Sequence, residues 1–76
     1  MKLYLGGYFA YFLSTRQNWI DVELNGPARL SEVLAGLGIP AGEIYLAVVN
    51  GELVDLQEAF VSERDEVRLF PAIGGG

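Results

Sequence analysis

Six consecutive apolar residues, Ile44–Val49, run straight into Asn50-Gly51. A short run of this kind, rich in β-branched and aromatic side chains, fits a buried central strand better than a helix. Asn-Gly at its end is the strongest short-range signal for a two-residue hairpin turn. Glu52-Leu53-Val54 then reads as the return strand. This feature commits the chain to a sheet, and the remaining residues must flank that sheet and cover it.

Strand-like alternation recurs on either side. Met1, Leu3 and Leu5 share one face of Met1–Leu5, with Lys2 and Tyr4 on the other. Gly6-Gly7 breaks this strand or makes a bulge. Tyr8–Leu13 is densely aromatic and either continues the strand or caps one end of the core. Ser14–Asn18 is a polar turn. In Trp19–Leu24, Ile20, Val22 and Leu24 alternate with Trp19, Asp21 and Glu23, which predicts a half-buried strand antiparallel to the first. Val67 and Leu69 alternate with Arg68 and Phe70 in the last strand, Glu66–Phe70.

Asn25-Gly26-Pro27 punctuates the chain, and Leu30 is the first firmly helical residue. Leu30, Val33, Leu34 and Leu37 fall at i, i+3, i+4 and i+7, one apolar stripe. Gly38 and Pro40 stop the helix. So short a helix is unstable alone in water and must pack on the sheet. Asp55–Phe60 is a connection with room for one helical turn, and Ser62–Asp65 is a charged turn. The predicted order is β-β-α-β-β-β. It makes an α+β fold of the β-grasp, ubiquitin-like kind: a mixed sheet of four to five strands packed on one helix. Residues 1–70 form the domain and 71–76 a flexible C-terminal tail.

Composition removes most catalytic chemistry. The 76 residues contain neither cysteine nor histidine. Disulfides, thiolate nucleophiles, Cys/His zinc sites and a Ser-His-Asp triad are therefore excluded. The lack of cysteine agrees with a cytoplasmic protein. A net charge of −5 opposes phosphate backbones, so no nucleic-acid partner is expected. No apolar run reaches the roughly 20 residues of a membrane helix, so no membrane partner is expected either. Glu63, Asp65 and Glu66 cluster in a predicted turn, where a solvated acidic face explains them better than an acid–base pair. Ser62–Glu66 lacks the ligand spacing and glycine of a calcium loop, and no metal site is assigned. Trp19 reads as a structural ring rather than a ligand platform.

The C-terminus has a different character. Phe70-Pro71-Ala72-Ile73 leads into Gly74-Gly75-Gly76. Extended, residues 71–76 span ~20 Å at about 3.3 Å per residue. Pro71 stiffens the exit from the sheet. The glycines strip side chains from around the carboxylate of Gly76, so a narrow channel in a partner can admit it. That carboxylate is the one reactive group on offer. It becomes an acyl donor only after activation, for which adenylation by ATP suffices. The chain has no phosphate-binding glycine loop, so no cofactor is bound here and ATP is used by an activating partner.

Val48-Val49-Asn50-Gly51-Glu52-Leu53-Val54, followed by Asp65 through Gly76, resembles the ubiquitin-like sulfur carrier family that includes the molybdopterin synthase small subunit (MoaD) and the thiamine-pathway carrier ThiS. Leu30–Leu37 with Gly38-Ile39-Pro40 fits that family's helix and following turn. The resemblance covers nearly the whole chain. It implies a carrier, not an enzyme, whose terminal Gly76 is adenylated by a ubiquitin-activating-type enzyme. A sulfur donor protein then converts Gly76 to a thiocarboxylate for molybdopterin or thiamine biosynthesis. The resemblance assigns Ile73, Gly74 and Gly75, with Pro71, to the tail. It maps the partner-binding surface to Phe9, Leu53 and Phe70, with Leu53 and Phe70 expected exposed on one sheet face. It implies the molybdopterin synthase large subunit or thiazole synthase as the later partner. Phe70-Pro71 is similar to the molybdopterin type, and the triple glycine is closer to the thiamine type. The aromatic run after Gly6-Gly7 departs from the family's usual polar segment. Two rival readings are a protein modifier conjugated through Gly76 and a non-catalytic β-grasp interaction module.

Overall fold

The computed structural model describes residues 1–13 and 16–72. Seven strands, one α-helix and two 3₁₀ helices follow each other in the chain. The strands are β1 (Lys2–Leu5), β2 (Trp19–Asp21), β3 (Ala28–Arg29), β4 (Ile44–Val49), β5 (Glu52–Val54), β6 (Phe60–Val61) and β7 (Glu66–Pro71). The helix α1 spans Leu30–Gly36, and the 3₁₀ helices span Gly7–Phe12 and Ala41–Glu43. Five strands form a mixed sheet in the order β2-β1-β7-β4-β5. β1 runs parallel to β7, and every other neighbouring pair in that sheet is antiparallel. This is the expected β-grasp: a five-stranded mixed sheet with one main helix.

The registers sort side chains onto two faces. Leu3 stands beside Val67 and Ile20, and Leu5 beside Leu69. Ala47 stands beside Leu69 and Val54. These residues point to the core, where Leu30 and Leu34 of α1 complete the packing with Ile39. The stripe that predicted the helix is the stripe that packs, since Val33 and Leu37 also lie against the core. The helix ends as a Schellman motif. The N–H of Ile39 donates to the carbonyl of Leu34 at 3.0 Å, and that of Gly38 to Ala35 at 3.1 Å.

The hairpin predicted at Asn50-Gly51 is present. Asn50 (φ 51°) and Gly51 (φ 84°) both adopt the left-handed conformation, as a type I′ turn requires. β3 and β6 form a separate two-stranded ladder that alternation did not reveal. Two-residue strands are too short to carry a period. Their pairing of Arg29 with Phe60 fixes the entry to α1, and the N–H of Leu30 donates to the carbonyl of Ala59 at 3.0 Å. The connection before β6 closes as a turn on Asp55 rather than as a helix.

Two expectations need correction. Ile44–Val49 is neither central nor buried on both faces. The central strand is β7, and within β4 only Ala47 is fully buried. Trp19–Leu24 forms a strand only as far as Asp21. Val22 and Leu24 still contribute partly buried side chains to the core.

Candidate functional site

The face of the sheet opposite α1 has no covering layer among the described residues. The alternation that buries Leu69 turns Arg68 and Phe70 outward, and the register places Tyr4 beside Arg68 and Leu46 beside Phe70. Trp19 pairs with Tyr4, and Leu53 pairs with Val48. Tyr4, Trp19, Phe70, Leu46, Val48 and Leu53 therefore form one apolar band running from β2 to β5. Leu53 is 67% exposed and Trp19 43%. The Tyr4 ring lies 5.0 Å from that of Trp19 and 6.0 Å from that of Phe70. The Arg68 guanidinium stands 5.2 Å over the Trp19 ring and forms a 3.1 Å ion pair with Glu66. A planar cation held this way orders the exposed ring at little desolvation cost.

β7 ends where this band meets the exit of the chain. Opposite that end, β4 bulges at its start. Ile44 pairs with Pro71 and Leu46 with Phe70, leaving Tyr45 as the extra residue and 70% exposed. Tyr45, Leu46, Phe70, Pro71 and Ala72 line a shallow apolar groove at that corner. On the opposite side of β7, the Gly7–Phe12 3₁₀ helix presents Tyr8, Tyr11 and Phe12 to solvent. Aromatic surface thus flanks the chain where it leaves the sheet.

Of the residues assigned to partner binding, Leu53 is exposed and Phe70 half-buried, on the same face of the sheet. Phe9 is not on that surface. Its side chain is fully buried, because the turn at Gly6-Gly7 rolls the aromatic run inward and packs Phe9 against the core, with Phe12 at 6.0 Å. The run caps the core, the second of the two roles open to it from sequence. Pro71 is the last residue of β7 and is buried. Ile73, Gly74, Gly75 and Gly76 lie outside the described residues. Tyr4, Leu46, Val48 and Arg68 joined the surface unannounced. The signal for them was present in the alternation of β1 and β7 and in the unbroken apolar run of β4. A run apolar on both sides has a second face to cover.

The acidic cluster does structural work. Asp65 accepts a hydrogen bond from the Asn50 side chain at 2.9 Å and from the Ser62 N–H at 2.7 Å. The Asn50 side-chain oxygen Oδ1 in turn accepts from the N–H of Glu66 at 3.0 Å. The Asn50 hydrogen bond, then that of the Ser62 backbone, holds the Asp65 carboxyl below its usual value of 3.8. This network ties the β4–β5 turn to the start of β7, at the opposite end of that strand from Pro71. Among the described residues no group of three acidic side chains is placed to hold a metal ion, and no helix is long and apolar enough to cross a membrane.

A family model described as the ThiS family matches residues 10–76. The chain belongs to this family. ThiS-family members are ubiquitin-like sulfur carriers, small proteins that carry sulfur and are not catalysts. Two similar solved structures come from Geobacter metallireducens. One is the crystal structure of the thiamine biosynthesis protein ThiS, 22% identical, covering 100% of both chains with a TM-score of 0.60. The other is the solution structure of a thiamine biosynthesis protein, 22% identical, covering 100% of this chain and 88% of that one with a TM-score of 0.55. At such identity they establish the shared fold. A comparison with curated proteins finds no match. The family match spans the glycine-ended segment as well as the sheet, and the last described residues, Pro71 and Ala72, follow the central strand beside the open face.

Proposed function

We propose that this protein carries sulfur as a thiocarboxylate on Gly76, formed on a ubiquitin-activating-type enzyme and delivered in thiamine biosynthesis. The observation that carries the reading is the juxtaposition of an apolar sheet face, uncovered among the described residues, with the start of a tail whose sequence ends in three glycines. The face supplies a docking surface of modest size, suited to a contact that must later release. The tail delivers a carboxylate at a distance from the folded domain.

The chemistry follows from the carboxylate. One oxygen of Gly76 attacks the α-phosphorus of ATP on the partner enzyme, and pyrophosphate leaves. The acyl carbon of the resulting adenylate is then attacked by sulfur that the donor protein releases as hydrosulfide, whose proton goes to solvent. The carbon–sulfur bond forms, the carbon–oxygen bond to AMP breaks, and a thiocarboxylate remains. No redox change occurs at carbon. The chain itself supplies recognition and an unhindered carboxylate, while nucleotide binding and acid–base catalysis belong to the partner. The later acceptor is thiazole synthase in this reading. The ThiS family match favours it over the molybdopterin synthase large subunit.

Pyrophosphate exchange tests the first step. Incubation with the activating enzyme, ATP and labelled pyrophosphate is expected to return label to ATP. Deletion of Gly75-Gly76 is expected to abolish that exchange. Exchange that survives the deletion would place the reacting group elsewhere, and no exchange with an enzyme active on another carrier would leave the interaction-module reading.

A further inference from the structure

Gly6 and Gly7 lie directly against the last residues of β7. A Cβ on Gly6 would stand 2.8 Å from the Leu69 carbonyl oxygen and 2.9 Å from Cδ1 of Phe70. A Cβ on Gly7 would stand 2.7 Å from Cγ and 3.2 Å from Cδ of Pro71. Gly6 is extended (φ −75°), so only space demands glycine there. Gly7 is left-handed (φ 54°), which adds a conformational demand. The N–H of Gly6 also donates to the Leu69 carbonyl at 2.9 Å. The platform is anchored, because the 3₁₀ helix that begins at Gly7 is pinned through the buried Phe9 and Ala10.

Resting on the carrier reading above, we propose that Gly6-Gly7 is a positioning element for the tail. Its bare backbone lets Phe70 and Pro71 seat against the end of β1, and that seat fixes the direction in which the chain leaves the sheet at Ala72. The open face docks the partner, and the glycine seat aims the carboxylate. A Cβ at Gly7 pushes against the Pro71 ring and tilts the tail at its root, with the carboxylate five residues further on. Docking through Trp19, Leu46 and Leu53 is untouched by this tilt. The effect therefore falls on turnover and not on binding.

The test is the steady-state kinetics of adenylation by the activating enzyme, with far-UV circular dichroism as the fold control. Gly7→Ala is expected to lower kcat by about tenfold to a hundredfold with KM near the wild-type value, the scale of an ångström-sized misplacement. Pro71→Ala removes the ring atoms that a new Cβ would meet. The double variant is therefore expected to be no worse than Pro71→Ala alone, a coupling that a general loss of stability would not produce. Should Gly7→Ala fail to fold, Pro71→Ala decides alone: a fall in kcat at unchanged KM supports the seat, and wild-type kcat overturns it. A folded Gly7→Ala with wild-type kcat, or with only a raised KM, overturns the positioning role and leaves the carrier reading intact. A wild-type protein that is never adenylated overturns both.

Discussion

Leu69 and Phe70 are neighbours in β7 and face opposite ways. Leu69 is fully buried in the core with Leu30 and Leu34 of α1, whereas Phe70 is half-buried in a band that no other element among the described residues covers. The same division runs across the sheet, with Leu3, Leu5, Ala47 and Val67 on one side and Tyr4, Trp19, Leu46 and Leu53 on the other. Both faces are apolar, but only one has a layer to bury it. The closed face holds the domain together. The open face leaves contiguous apolar side chains in water, the kind of patch that marks a contact surface. In the proposed reading, stability and recognition are carried by alternate residues of the same strands, and the two are separable by mutation.

The largest effect that tests this division is on the closed face. Leu34→Ala is expected to lower unfolding free energy by ~2–5 kcal/mol, measured by urea denaturation. A loss no larger than that of a surface substitution would contradict the assignment of the core. On the open face the expectation inverts. Leu53→Ala should change folding stability by no more than ~0.5 kcal/mol. It should weaken binding to the activating enzyme by ~1–2 kcal/mol, about 5–30-fold in Kd by calorimetry. Equal losses in folding and binding would erase the distinction between the faces.

Much of this was legible in the sequence, and the misses are informative. The stripe Leu30-Val33-Leu34-Leu37 located the helix because a period of 3.6 has few other sources. Asn50-Gly51 located the hairpin because few residue pairs accept two left-handed conformations in a row. β3 and β6 escaped because two residues carry no period. Their pairing depends on chain closure between segments about thirty residues apart. The resemblance puts Phe9 on the partner surface, whereas the aromatic run by itself fits a cap on the core, and the cap is what forms. Only the turn at Gly6-Gly7, a tertiary choice, sends it inward. The apolar run of β4 reads as buried on both faces, whereas its second apolar face belongs to the open band. The proposed chemistry of the tail is read from its three glycines, its carboxylate and the family resemblance, and not from any periodicity.

Two smaller effects sharpen the picture at the far end of β7. Asn50→Ala removes the side-chain partner of Asp65 and of the Glu66 N–H, and places alanine at a left-handed position. A loss of ~1–2 kcal/mol in unfolding free energy is expected, with binding to the activating enzyme unchanged. The smallest effect is on pH dependence. The Asp65 pKa is lowered in the folded state, so its contribution is fully present above the usual carboxylate value and is lost as pH falls below 3.8 toward the folded-state value. Asp65→Asn is expected to flatten that part of the acid limb of a stability–pH profile. An unchanged limb would show that the Asn50 and Ser62 hydrogen bonds do not favour the ionised form.

The most direct test of the account as a whole is the intact mass of the protein after incubation with ATP, the activating enzyme and a sulfur donor. The account predicts a gain equal to replacement of one oxygen by one sulfur, localised to Gly76 and absent when Gly75-Gly76 is deleted. An unchanged mass with an enzyme active on another carrier, or covalent adducts to other proteins in place of the sulfur gain, would contradict it.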